Sequence, residues 1–314
     1  MEIDVKILEN ETRKEGLENI QEVALLFPDY ESLHSGIAKE LYNCERVVQE
    51  YFEEAAHITG LNITRLLFNA SESELRSLPD AYALLFSVHA ATTAYIRSKD
   101  ITVTAVGGYG LGAYSALHAV RAYTFADGLY LISKWAAAYH ELLQEKNFKK
   151  ISVSNCTLKD LKKILSIQDK ELIMLSEKVS DDIFFIAGTR SAVEAFEEDF
   201  LSVHPESVIV ELPLESGLYA DLAPESTTQF KKYLEKVEFK DAENSCFSPH
   251  ASEDLVAAQQ IKDFIIEQPF LYQDRVQLIE RYAVYQNLIV PFADEALIQQ
   301  LRARYPEKNI IALL

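Results

Sequence analysis

Apolar positions along this chain change period several times, and each change marks an element. Val23-Ala24-Leu25-Leu26-Phe27-Pro28 is a continuous apolar run closed by proline, the pattern of a buried strand. Ile37 to Ala56 places Leu41, Val48, Phe52 and Ala55 on one helical face, and Ser71-Glu72-Ser73-Glu74 has the capping-box form of a helix start. Ala81 to Ile96 predicts a long Ala/Leu-rich helix. The β-branched run Val103-Thr104-Ala105-Val106 then meets Gly107, Gly108, Gly110 and Gly112, and an Ala/Leu-rich helical pattern follows: strand, sharp turn, helix. Near 148–214 the rhythm shortens. Strands are expected at Ile151–Val153, Leu172–Leu175, Ile183–Gly188 and Val208–Leu212, with helices at Leu158–Leu165, capped by Thr157, and Ser191–Phe200. That β-α-β-β-α-β order is ferredoxin-like. The C-terminal part returns to helix and short strand, with the apolar run Asn309–Leu314 expected as a last strand. Residues 1–22 are polar and without period, and read as a loose arm or a first amphipathic segment.

Composition narrows the class without naming a function. The 314 residues are 48% hydrophobic and 25% charged, ordinary for a globular chain with a sizeable core. A net charge of −19 argues against nucleic acid or an anionic membrane as partner. No apolar run has membrane-spanning length, and the charged start Met1-Glu2-Ile3-Asp4 lacks a signal-peptide core. Cys44, Cys156 and Cys246 are widely spaced, which fits reduced thiols in a cytoplasm. The seven histidines show no metal-ligand spacing, so neither metal nor cofactor is expected.

The chemistry concentrates at the glycine turn. In α/β-hydrolase-like enzymes such a turn reads G-x-S-x-G and holds a nucleophile at the mouth of the sheet. Here the frame is Gly108-Tyr109-Gly110-Leu111-Gly112: both outer glycines are present and the serine is not. The stretch Gly108 to Leu117 resembles the G-H-S-L-G-E-Y-x-A-L of malonyl-CoA:acyl carrier protein transacylases and polyketide synthase acyltransferase domains. Phe125-Ala126-Asp127-Gly128-Leu129 is similar to that family's next helix, and Ser87-Val88, Ile186-Ala187-Gly188, Ala192-Val193-Glu194 and Leu212-Pro213 match further framework motifs in order.

The resemblance implies an α/β fold: an α/β-hydrolase-like core with a parallel sheet, over 1–147 and 215–314, and an inserted ferredoxin-like subdomain over 148–214. It also implies where the chemistry should lie, and there the sequence departs. The family's serine falls on Gly110, its histidine base on Tyr219, its carboxylate-gripping arginine on Trp135 and its oxyanion-loop glutamine on Tyr30, flanked by Asp29 and Glu31; a further glutamine falls on Asp80. An indole has one N–H and no charge, so it cannot grip a carboxylate bidentately. Lys134 is the nearest cation, about 100° around the helix, and no arginine is expected to offset Asp29, Glu31 and Asp80.

These departures point to a protein that is transacylase-like without being a transacylase: a binding or scaffolding partner in fatty-acid or polyketide synthesis, with acyl carrier protein or a synthase subunit as partner. Tyr30, Tyr109, Leu111 and Trp135 are the positions expected to line its substrate site. A different, uncharged ligand held among Tyr30, Tyr109, Trp135 and Tyr219 is another reading. The alternative is an active acyltransferase or thioesterase with a relocated nucleophile, Tyr109 being nearest. Ser115 lies too far along the helix, and His118 reads as packed rather than as a base. Lys146–Lys150 and Lys159, Lys162, Lys163 are candidate basic patches for an acidic carrier protein. Gly108 to Ala113 also fits G-x-G-x-x-G/A, with Asp127 as a ribose ligand, but Asp127 falls in a helical pattern.

Overall fold

The computed structural model describes residues 17, 20–75, 80–145, 147–169, 172–213, 230–250, 253–267, 271–292 and 295–313. In chain order the first half runs β1 (Glu22–Phe27), α1 (Lys39–Cys44), α2 (Arg46–Thr59), α3 (Ile63–Asn69), α4 (Glu72–Leu75), α5 (Asp80–Ser98), β2 (Thr102–Gly108), α6 (Leu111–Ala119) and α7 (Phe125–Glu145). Then come β3 (Phe148–Ser154), α8 (Leu158–Leu165), β4 (Ile173–Lys178), β5 (Ile183–Thr189), α9 (Arg190–Val203) and β6 (Val208–Leu212). The chain closes with β7 (Ser245–Phe247), α10 (Ala258–Glu267), β8 (Gln273–Asp274), α11 (Arg275–Glu280), β9 (Asn287–Pro291), α12 (Glu295–Arg304) and β10 (Asn309–Leu313).

Two sheets result. The first has order β10-β9-β1-β2-β7 and is parallel throughout. Its strands read as unbroken apolar runs because helices cover both faces. One face packs with α5, α6 and α7 around Leu25, Phe27, Val106 and Leu117, and the other carries Leu26, Tyr109, Tyr282 and Leu301. The second sheet pairs β6-β3-β5-β4 antiparallel, the ferredoxin-like order, with α8 and α9 burying Leu161, Ile164, Phe196 and Phe200 on Ile151, Val153, Phe184 and Ile186. A capping box at Thr157 and Asp160 starts α8. Two-residue β8, from the C-terminal part of the chain, adds to β4 in parallel, Glu177 opposite Gln273.

One helix is broken where the pattern predicts continuity. Residues 37–56 form α1 and α2, separated at Glu45, whose backbone is extended (φ −122°, ψ 113°). Tyr42, Asn43 and Cys44 are poor helix formers. The break is compensated: Gln49 Nε2 donates to the Tyr42 carbonyl at 2.7 Å, and Tyr42 stacks on Phe52 at 5.7 Å. Val48, Phe52 and Ala55 bury as the spacing implies, while Leu41 stays half-buried. At α4, Glu74 N–H donates to Ser71 Oγ, but the Glu74 carboxylate turns to Arg65 (2.9 Å) instead of closing the box.

Candidate functional site

Register decides what lies beside the glycine turn. β1 and β2 are parallel neighbours with Phe27 opposite Gly108, so the residues just after β1 leave the sheet next to the residues just after β2. The turn itself is tight. A Cβ on Gly108 would come within 2.2 Å of the Gly112 carbonyl, and one on Gly112 within 2.0 Å of the Phe27 carbonyl. The two outer glycines are therefore required by backbone contact alone. Gly110, the nucleophile's position in such a turn, has φ +54° and ψ −126°, a region costly for residues with a side chain. The elbow geometry persists without the serine.

Another side chain stands in that place. A Cβ built on Gly110 would lie 1.9 Å from Asp29 Oδ2 and 2.4 Å from Oδ1. Leu111 N–H donates to Asp29 Oδ1 at 2.7 Å. In enzymes with this turn, the N–H of the residue after the nucleophile is an oxyanion donor; here it is taken by the protein's own carboxylate. Gly110 N–H donates to Gln273 Oε1 at 2.9 Å. The backbone donors on either side of the elbow are thus both bound internally.

Around Asp29 is a buried ionic network. Arg275, which opens α11, forks onto Glu177 of β4: Nε bonds Oε1, and Nη2 lies 3.0 Å from Oε2. Nη2 also reaches Glu31 at 3.5 Å, and the guanidinium sits 4.0 Å over the Tyr109 ring. Lys150 of β3 is buried with its ammonium 4.8 Å from the Phe185 ring. Burial pushes the Asp29 carboxyl up to about 7; the charge of Glu31 adds to this, and the N–H groups of Leu111 and Tyr30 oppose it. Burial also draws the Lys150 ammonium down, against the carboxylates Glu177, Glu31 and Asp29. Three carboxylates and two cations leave the network with one excess negative charge when all five groups are ionised, and burial acts on Asp29 to disfavour it.

The sequence-derived positions distribute unevenly over this geometry. Gly110, Tyr109 and Leu111 meet at the turn. Tyr30 turns its ring into the core, 6.0 Å from Tyr82, and Trp135 packs 4.9 Å from Phe230. Tyr30 and Trp135 share one apolar cluster and Tyr109 belongs to the other. Tyr219 lies outside the described residues. The expectation that no arginine stands near Asp29 and Glu31 is corrected by Arg275. Of the basic stretch Lys146–Lys150, Lys149 is buried and ion-paired to Glu197 at 2.7 Å and Lys150 joins the network, so neither offers a surface charge. Lys159, Lys162 and Lys163 are exposed. Asp127 caps its own helix through Thr124, and Asp29 fills the helix N-terminus that a dinucleotide phosphate would need. His118 is packed among Phe86, Tyr123 and Phe125, its pKa lowered to about 4 by burial, and Ser115 is buried with its hydroxyl on His89 Nδ1 at 3.0 Å. No cluster of metal-ligating side chains occurs among the described residues, and none of the described helices is long and apolar enough to cross a membrane.

Over 251 residues the chain is 24% identical to malonyl-CoA:acyl carrier protein transacylase of Bacillus subtilis strain 168, spanning 79% of each. The chain is a relative of the malonyl-CoA:acyl carrier protein transacylases. A malonyl-transacylase solved with a type II polyketide acyl carrier protein superposes with a TM-score of 0.83 at 17% identity, over 93% of this chain and 96% of that one. The transacylase of Coxiella burnetii gives 0.83 at 16% identity, over 94% of each. No protein-family model matches the chain. The transacylase fold is therefore kept around an elbow that carries Gly110 at its centre.

Asp29, Gln273 and Arg275 are the residues that sequence reasoning undervalued. Tyr272-Gln273-Asp274-Arg275 replaces a mainly apolar family motif, P-V-x-W. Polar residues at a buried framework position need partners, which was the available signal.

Proposed function

We propose that this chain is a transacylase-like protein that does not turn over and acts as a binding or scaffolding partner in cytoplasmic fatty-acid or polyketide synthesis, its partner an acyl carrier protein or synthase subunit. The observation that carries the reading is the Asp29 carboxylate standing at the nucleophile's place on the Leu111 N–H. Transfer between two thiols that bind in turn needs a covalent acyl-enzyme, and Gly110 has no atom to form one. Above the Asp29 pKa of about 7 a tetrahedral oxyanion would meet a carboxylate where it needs a donor. At 4 Å that repulsion is about 1 to 4 kcal/mol between bulk-water and near-surface dielectric. Malonyl-CoA is itself anionic.

The test is intact-mass analysis of the purified protein after exposure to malonyl-CoA, then to holo acyl carrier protein. Unchanged mass and no malonyl-carrier product are expected. The alternative, an acyltransferase or thioesterase with a relocated nucleophile, has one feature in its favour: a buried carboxyl with a pKa of about 7 sits where the serine side chain would be. Attack by that carboxylate on the thioester would release coenzyme A thiolate and leave a mixed anhydride on Asp29. An adduct mapped to Asp29, or to Tyr109, would establish that alternative and refute the proposal.

A further inference from the structure

A cavity of about 270 Å³ opens between the end of α2, the start of α5 and the middle of α7. It shares no residue with the elbow network. Ile58, Leu61 and Ala83 give it an apolar wall, and Asp80, Ser133 and Lys134 give it polar groups. Two features separate it from an ordinary surface hollow. First, Asp80 and Lys134 line the same small space and form no ion pair with each other; among the described residues no hydrogen bond or ion pair engages either. The Ser133 hydroxyl is likewise unengaged among them. Second, Lys134 is held in place by aromatic faces, its ammonium 5.8 Å from the Tyr130 ring and 5.6 Å from the Tyr233 ring. Such contacts fix a cation without neutralising it. Partial burial raises the Asp80 carboxyl above its ordinary value.

Opposite charges that share a cavity of this size without meeting match a ligand carrying both charges itself. We infer that the cavity formed by α2, α5 and α7 binds a small aliphatic α-amino acid, its ammonium toward Asp80, its carboxylate toward Lys134 and Ser133, and its side chain against Ile58, Leu61 and Ala83. A plain carboxylate would leave Asp80 unpaired, and a plain amine would leave Lys134 unpaired. Convergent polar groups on an apolar wall are the ordinary construction of a small-molecule site. The inference stands apart from the elbow, so failure of either leaves the other to be judged alone.

The experiment is titration calorimetry of the full chain at low salt with L-leucine, then with 4-methylpentanoate and 3-methylbutylamine, which each lack one charge. Saturable L-leucine binding is expected, weakened at least tenfold for each single-charge analogue. Lys134→Met, at an exposed position, should weaken leucine at least tenfold with an unchanged circular dichroism spectrum, and Asp80→Asn should do the same from the other side. Absence of saturable leucine binding to the folded protein at millimolar concentrations would overturn the inference. So would either analogue binding as tightly as leucine, or leucine affinity unchanged by both substitutions.

Discussion

Replacing Asp29 by asparagine isolates the charge at the centre of the elbow network. The amide oxygen can still accept from Leu111 N–H, so the geometry is kept while the ionisable proton is removed. In the folded chain the Asp29 pKa rises from 3.8 to about 7. An acid whose folded pKa is raised stabilises the fold fully below its unfolded pKa, and that stability is lost as pH rises through the folded value. Some three pH units at 1.36 kcal/mol each give an upper bound of about 4 kcal/mol for the whole loss. Between pH 5 and 8.5 the advantage of Asp29→Asn over wild type should grow by about 3 kcal/mol. Urea unfolding of both proteins across that range measures it. The difference is the right observable because buried His89, His118 and His250, with pKa values lowered by burial to about 3, 4 and 4, act with the opposite sign. They lose stability as pH falls below about 6.5, and they do so in both proteins. A difference that stays flat with pH, or an asparagine variant less stable than wild type at pH 8.5, would refute the buried-carboxylate account.

Gly110→Ser alone should destabilise the fold by about 1 to 3 kcal/mol and give no transfer activity, because its Cβ enters the Asp29 carboxylate at a positive φ; thermal unfolding and a malonyl-transfer assay read the two. Combining it with Asp29→Gly should recover stability without activity; robust turnover in either would overturn the proposed function. Arg275→Met should cost about 3 to 5 kcal/mol by leaving Glu177 buried without its partner, and adding Glu177→Gln should restore most of that in a double-mutant cycle. Gly108→Ala should abolish soluble folded protein or cost several kcal/mol, since its methyl meets backbone at 2.2 Å that cannot rotate away; circular dichroism and urea unfolding decide.

Much of the fold was legible because its elements are long or strongly periodic. The buried runs 23–28 and 103–106 became parallel strands, and the four strands and two helices over 148–212 formed the ferredoxin-like sheet that their order implied. What the periodicity missed was local. The break at Glu45 leaves Val48, Phe52 and Ala55 of α2 on one buried face, so their spacing gives no sign of it. The addition of β8 to β4 is two residues long and brings together segments nearly a hundred positions apart, beyond any local signal.

The elbow shows where a sequence can indicate a lost chemistry but not its replacement. Glycines at 108, 110 and 112 announce the turn, and the missing serine is visible directly. Asp29 read as a charge that would oppose an oxyanion, which treats it as a neighbour of an empty cleft. Only the register of β1 on β2 turns that neighbour into the occupant, by bringing the residue after Pro28 onto the Leu111 N–H. Once a carboxylate is buried there, its charge must be managed, and the chain supplies Arg275 and Lys150 from elements far away in sequence. Arg275 in turn binds Glu177 of β4, so the group that balances the elbow also ties the start of α11 to the second sheet. Loss of the serine leaves at the elbow a cluster of five ionisable groups, Asp29, Glu31, Lys150, Glu177 and Arg275. The same logic explains why restoring a single residue should fail: the serine would have to displace Asp29, and the displaced carboxylate would leave Leu111 N–H unsatisfied and shift the charge balance that Arg275 and Lys150 now meet.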